Sequence, residues 1–569
     1  MSLREACLRA GTHAERKNQA TLMSATDRAF LGRRRAQERR NNELPIALSA
    51  TSAMDVRRIC FAIDHALEHG LDEPMAAAAA AVALMLISGR DLEELCCLRF
   101  FSGRLDDARD RSGHWLIHYG QGYALAMPAG ASPTKAQPNA AASKLVLPPS
   151  DQVIFKLGER AARCLKVYIG SDWDRSGTPA LWKEQRPVFS YSLGKLEELV
   201  DTFLRQAGTA YGISRRSRIV DPKRIERALE TGLVNLKGSD RGMARLLTGG
   251  KQPARQAAAY YSGGTEPHIT QEHERACTQA SVDTFDDCVL DYFQSDVELS
   301  LGSRFIPTTA AVEGLRDKLI DEIRFCKPAR EPRQVASVHN AMLTYSWMLW
   351  SLCVGGRRVK DPILHPRQID PGTGFGLFRD KGYTPAATVA LLKETTAFRD
   401  NLESYKLRLV WAPGIVQRQL QAYCDHIEAL LTDPRLPERS QKSIKRWRDE
   451  DEHRLPFFRL DRHLQAKRLG AGQFEKMLAG DPWYWPLPMN ALRHYLRAEL
   501  CGRVSHEVVD ALLGHWQIGA EPWWNGGALD PLLFKESLKA AFRAILPEGC
   551  GGWAVQSGLS NRLDIHDEK

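Results

Sequence analysis

The sequence predicts a mainly α-helical protein with small antiparallel β-sheets, arranged as two consecutive modules. Three observations predict it. Apolar residues recur at helical spacing over long stretches, and two of these, Glu73 to Ile87 and Val335 to Cys353, are apolar on most faces, as a central buried helix must be. The strand-like runs are few and short and lie between helices. Landmarks also recur in one order at nearly constant separation. Arg90 and Arg357 each follow an apolar helix (357 − 90 = 267), and Pro149 and Pro413 each precede a helix (413 − 149 = 264). Arg227 pairs with Arg493 (493 − 227 = 266) and Leu246 with Leu512 (512 − 246 = 266).

Along the chain, residues 1–45 read as a basic, partly disordered tail. Its arginines, Arg33, Arg34 and Arg35 among them, either neutralise DNA phosphates or form a solvated face. Residues 46–265 read as a helical DNA-binding domain or a degenerate copy of the second module. Asp55 to Leu67 is amphipathic, and the helical pattern extends to Phe101. Asp106 to Gly113 is loop-like, and His114 to Tyr119 with Tyr123 to Met127 suggests a hairpin. A short strand at Lys144 to Pro148 precedes a helix expected from Ser150 to about Val167. Further helices are expected at Leu193 to Tyr211, from Asp221-Pro222 onward, at Arg241 to Leu247 and at Pro253 to Tyr261. Thr265 to Glu272 looks like a boundary, and 266–334 like a linker with a helical connection. In 335–545, Gly374 to Phe378 and a segment after Lys381-Gly382 suggest a second hairpin. Leu407 to Pro413 suggests a strand, and Val416 to Leu431 a helix. Pro434 to Arg454 is dense in mixed charge and expected to be exposed. Helices follow at Met489 to Leu500, Ser505 to Leu513 and Pro531 to Ile545, and 546–569 is a tail.

With 569 residues, 43% of them hydrophobic and 26% charged, the composition is that of ordinary globular domains. The net charge of +9 favours a polyanionic partner. The longest apolar run, Met75 to Ile87, is too short to span a bilayer, and the polar, Arg-rich N-terminus lacks the apolar stretch of a secretory signal. The 12 cysteines are scattered without metal-ligand spacing and are expected to be reduced core thiols.

Two stretches carry the chemistry. Asn490-Ala-Leu-Arg493-His494-Tyr495 opens one helix, and Leu512-Leu-Gly514-His515-Trp516 closes the next. Together they resemble the second and third sequence boxes of the tyrosine recombinases (phage-integrase family). The resemblance implies a catalytic fold of that kind in the C-terminal half. It also implies attack on a DNA phosphodiester by a tyrosine, with no metal or cofactor. Arg358 in Gly356-x-Arg358-x-x-Asp361 matches the first-box arginine, with Arg357 a neighbouring choice, and Asp361 matches its acidic support. Lys381 matches the hairpin lysine, Arg493 the second arginine and His515 the Gly-His histidine. Asn490 stands where the family has histidine or lysine. Such a set suits phosphate: guanidinium forks hold non-bridging oxygens, and a lysine can protonate a leaving oxygen.

The nucleophile departs from the pattern. The expected position holds Trp524 (524 − 515 = 9), and no tyrosine follows Tyr495. Tyr260 and Tyr261 in the first half lie near the corresponding place, either as a nucleophile donated across modules or as packed aromatics. The implied partners are double-stranded DNA and further copies of the chain or other recombinase subunits, with no membrane and no small-molecule substrate. The implied setting is the cytoplasm, at a bacterial nucleoid. Three functions stay open: a recombinase or integrase of a mobile element, a catalytically inactive accessory protein, and a helical scaffold without DNA binding.

Overall fold

The computed structural model describes residues 51–101, 105–109, 111–119, 122–130, 137–170, 185–210, 221–236, 241–249, 262–285, 299–324, 331–356, 363–379, 407–449, 455–480, 482–515, 529–546 and 553–559. The first half contains α1 (Ala53–His69), α2 (Glu73–Ser88), α3 (Leu92–Cys96), β1 (Arg99–Phe101), α4 (Leu105–Arg109), β2 (Trp115–Tyr119), β3 (Gly122–Pro128), β4 (Pro149–Ser150) and β5 (Gln152–Lys156). It continues with α5 (Glu159–Ile169), α6 (Leu193–Ala210), α7 (Pro222–Asn235), α8 (Arg241–Thr248), β6 (Gly263–Thr265), α9 (Glu266–Gln279) and β7 (Ser300–Gly302).

Its organising element is α2. The Asp72 side chain accepts from Met75 N at 3.0 Å, Pro74 sits in the first turn where no N–H is missed, and Gly89 closes the helix at φ +63°. Every residue from Ala76 to Ser88 is buried, and α5, α6 and α7 pack around it. The small alanine side chains let these helices approach closely.

The second half contains α10 (Thr309–Arg324), α11 (Pro332–Val354), β8 (Phe375–Arg379), β9 (Leu407–Trp411), α12 (Gly414–Thr432), α13 (Glu438–Asp449), β10 (Phe458–Leu460), β11 (Ala466–Arg468) and α14 (Ala471–Ala479). It ends with α15 (Ala491–Leu500), α16 (His506–Leu513) and α17 (Pro531–Ile545). Here α11 is central. Proline again sits in the first turn, Gly355 closes the helix at φ +60°, and α10, α12 and α15 pack on it. The halves thus follow one plan: a glycine-capped buried helix, strands, then a helix pair, α7–α8 in the first half and α15–α16 in the second. They meet at α15, which touches β6, and at Cys501, buried in the core of the first half.

The sheets are small. β1-β2-β3-β5 form one, β4-β7-β6 another, and β8-β9 and β10-β11 are two-stranded pairs. Most pairings are antiparallel, as expected, but β1 runs parallel to β2 and β4 parallel to β7.

Several expectations are corrected. Residues 152–156 form β5 rather than the start of a helix, which begins at Glu159. The run Gln-Val-Ile-Phe-Lys packs its apolar residues against β3, and this pairing overrides the helical pattern. Leu105–Arg109 is a short helix, where a loop was expected. The boundary expected at Thr265 to Glu272 is β6 running into α9. Ile269, Ala276 and Cys277 of α9 belong to the core of the first half, so the linker expected from residue 266 is structured chain there. Strand β8 pairs with the distant β9, and the segment after Lys381 expected to pair with it lies outside the described residues. Glu438–Asp449 is a helix that buries Ser440 and Ile444 within its charged sequence. Cys97 is exposed and Cys96 half-buried, so these two are not core thiols. The helix expected at Pro253 to Tyr261 lies outside the described residues.

Candidate phosphate site at the junction of the α11 end with α15 and α16

A helix leaves its last carbonyls unpaired, with partial negative charge gathered there. At the end of α11 this charge is met by arginines. Arg408 on β9 donates to the carbonyls of Val354 (2.9 Å) and Gly355 (3.2 Å), with its guanidinium 5.0 Å from the ring centre of Phe378. Arg493 on α15 donates from Nη1 to the Gly355 carbonyl and from Nη2 to the Leu513 carbonyl. Both arginines are essentially inaccessible, at 1% and 0%. Burying a guanidinium is costly unless its donors are met, and these carbonyls take both terminal nitrogens of each arginine.

Two glycines give the site its shape. A Cβ on Gly355 would lie 2.5 Å from Leu513 Cδ2, so the backbone at the end of α11 can sit directly on the end of α16 only as glycine. Gly514, at φ +65°, stops α16, and the next residue returns its N–H to the Asp510 carbonyl at 2.8 Å. That turn aims His515 inward. Its Nε2 lies 3.0 Å from Arg493 Nη2 and its Nδ1 3.0 Å from Arg497 Nη1. Arg497 Nη1 also lies 3.4 Å from Asp510 Oδ1.

Arg493 and His515, both anticipated from the sequence, therefore come together in one buried cluster. The amide of Asn490 lies 3.5 Å from Nε2 of His494. His494 is itself fully buried, with Nδ1 2.6 Å from Ser303 Oγ, and so ties α15 to the loop after β7. Burial, aided by the charges of Arg493 and Arg497, lowers its pKa to about 3, so it is a neutral structural histidine. Arg33, Arg34, Arg35, Tyr260, Tyr261, Arg357, Arg358, Asp361, Lys381 and Trp524 lie outside the described residues. Gly355 and Gly356 are the described residues just before Arg357, and Phe378, under the Arg408 guanidinium, stands three positions before Lys381 (381 − 378 = 3).

Sequence reasoning missed Arg408 and Arg497. Each had a readable signal. Strand alternation puts Arg408 on the face of Val410, which is buried. Arg497 follows Arg493 by four residues, hence on the same helix face.

The first half holds a related arrangement without the imidazole. Arg90, 2% exposed, donates from Nη2 to the carbonyls of Pro128 (2.7 Å) and Leu247 (2.8 Å) and pairs with Glu94 at 3.5 Å. Its guanidinium fills the space beside Gly249, where a Cβ would collide with Nη1. Arg227, the sequence counterpart of Arg493, is only half-buried.

Chemically, two guanidiniums and an imidazole at 3.0 Å can hold the oxygens of a phosphate and accept or retain a proton. Among the described residues, no group of three or more His, Cys, Asp or Glu side chains is placed to hold a metal ion, and no helix is long and apolar enough to cross a membrane. Comparisons with protein-family models, with curated proteins and with solved structures found no match to this chain.

Proposed function

We propose that this chain is a DNA-binding protein of the site-specific recombinase or integrase type, acting in DNA recombination or in integration of a mobile element. It engages double-stranded DNA through phosphate contacts from Arg358, Lys381, Arg493 and His515, and assembles on DNA with further copies or with other recombinase subunits. One observation carries this function: Arg493 bridges the Gly355 carbonyl, 138 positions away, and His515, 22 positions away. Stretches matching the second and third sequence boxes thus meet in one cluster, beside the residue that precedes the first box. Preorganised donors of this kind are what a phosphodiester under attack requires.

A second function, that of a catalytically inactive accessory protein, is favoured by a specific observation. The Arg493 fork is engaged by two carbonyls and an imidazole, and Trp524 supplies an indole where the resemblance calls for a hydroxyl nucleophile. A nicked suicide duplex separates the two: a covalent protein–DNA adduct marks the enzyme. Duplex binding that falls steeply with salt, without adduct, marks the accessory protein. Absence of any salt-dependent duplex binding leaves only a scaffold and overturns the proposal.

A further inference from the structure

Helix α13 and the β10–β11 hairpin carry a basic shelf on the second half. Residues 438–468 hold ten Lys and Arg against six Asp and Glu (10 − 6 = 4), against a net +9 for the whole chain. Burial sets where this charge goes. Ser440 and Ile444 of α13 are buried and Ser443 and Trp447 half-buried, so Arg439, Lys442, Lys445 and Arg446 fall on the opposite side and are exposed. β11 runs along one flank of the helix. Ala466 N donates to Ser443 Oγ at 3.2 Å, and Gln465 Nε2 lies 3.5 Å from Ser440 Oγ. Arg439 and Arg446 stand four residues before and three after Ser443, hence beside that flank, and Lys467, which follows Ala466, is exposed.

The described acids of this region are engaged locally. Glu438 pairs with Lys442 at 2.7 Å and Asp449 with Arg448 at 2.8 Å, while Asp461 accepts from the backbone N–H of His463 and Gln465. Arg439, Lys445, Arg446 and Lys467 form no ion pair among the described residues. The shelf is also separate from the α15–α16 cluster. Its hairpin is fixed to α11 where the Asn340 side chain exchanges hydrogen bonds with the Leu460 backbone at 3.0 and 3.1 Å. Asn340 precedes Gly355 by 15 residues (355 − 340 = 15), about 22 Å of helix.

We propose that this shelf is a second contact with the DNA backbone, in which Arg439, Lys445, Arg446 and Lys467 neutralise phosphates away from the α15–α16 site. The inference rests on the DNA-binding function proposed above. Exposed cations on long, flexible stems suit phosphate contacts, which fix the position of a duplex without reading its sequence.

The test measures duplex binding by the full chain across a range of salt concentrations. A variant combining Arg439→Gln, Lys445→Gln, Arg446→Gln and Lys467→Gln changes only exposed residues and is expected to fold. Its log affinity against log salt should be shallower than that of the wild type by about three to four. A control combining Arg57→Gln, Arg163→Gln, Lys166→Gln and Arg205→Gln, all exposed in the first half, removes the same charge and should keep the wild-type slope. Equal flattening in both variants overturns the inference, because bulk charge alone then explains it. If the wild type binds duplex with steep salt dependence and the shelf variant keeps that slope, the shelf loses its role and the DNA-binding function stands. If the wild type shows no salt-dependent duplex binding, both fall.

Discussion

Gly89 and Gly355 close the central helices of the two halves at φ +63° and +60°, and each packs on the last residue of a short helix, Thr248 of α8 and Leu513 of α16. The groups that meet the helix ends differ. In the first half, His273 binds the Ile87 carbonyl at 2.6 Å, and Arg90 is answered by the Glu94 carboxylate. Burial lowers the pKa of His273 to about 4, so this helix end is held by a neutral imidazole. In the second half the same end is held by Arg408 and Arg493, whose described partners there are carbonyls and an imidazole. The two glycine-capped helix ends are therefore met by different electrostatic groups. The first half keeps its guanidinium beside a carboxylate on the adjoining helix, whereas in the second Arg408 and Arg493 sit on backbone carbonyls and Arg497 lies 3.4 Å from Asp510. This contrast is what favours the second half for the proposed phosphate site.

Removing the arginines breaks the comparison most directly. Arg493→Met leaves the Leu513 carbonyl and His515 without this donor and should cost about 3 kcal/mol by urea unfolding. Arg90→Met should cost about 2 kcal/mol, because Glu94 can turn to water. A larger loss for Arg90→Met would reverse the assignment of the tighter cluster.

The glycines come next. Gly355→Ala and Gly249→Ala each force a Cβ into left-handed backbone and into a filled space, Leu513 in one case and Arg90 in the other. Each should lower stability by about 2 kcal/mol. A neutral result at either would show that the helix ends are less closely packed than described.

Acid should then separate the halves. His339, His426 and His494 are fully buried in the second half, and His273 in the first. Burial lowers the pKa of His339 to about 4, that of His494 to about 3, and that of His426 well below its ordinary value. A depressed histidine takes up its proton more readily when unfolded. Its contribution is therefore present above the ordinary value of 6.5 and is lost as pH falls from there toward about 4. Hydrogen exchange at pH 7 and pH 5 should show protection falling further in α11, α12 and α15 than in α2 and α9. Equal losses would contradict the difference.

Much of this plan was legible because it rests on local signals. Asp72, Asp221 and the glycines after Ser88 and Leu513 mark helix ends, and the apolar runs of α2 and α11 mark the cores. The missed elements depend on distant partners. β1 exists through pairing with β2, and β9 reaches β8 across a long stretch of chain. The boundary expected at Thr265 to Glu272 is instead a helix start, with Pro267 in the first turn of α9. In the site, Arg493 and His515 stood out because two spaced motifs pointed to them. Arg408 and Arg497 belong to no motif, and their importance appears only once burial and hydrogen bonds are known.

If Gly355, Arg493 and His515 frame a phosphate site, Arg358 and Lys381 belong to it, and the salt dependence of duplex binding tests this most directly. The logarithm of affinity should fall linearly with the logarithm of salt concentration, and Arg358→Ala with Lys381→Ala should make that slope shallower by about two. An unchanged slope in the folded double variant would contradict a phosphate site in the second half.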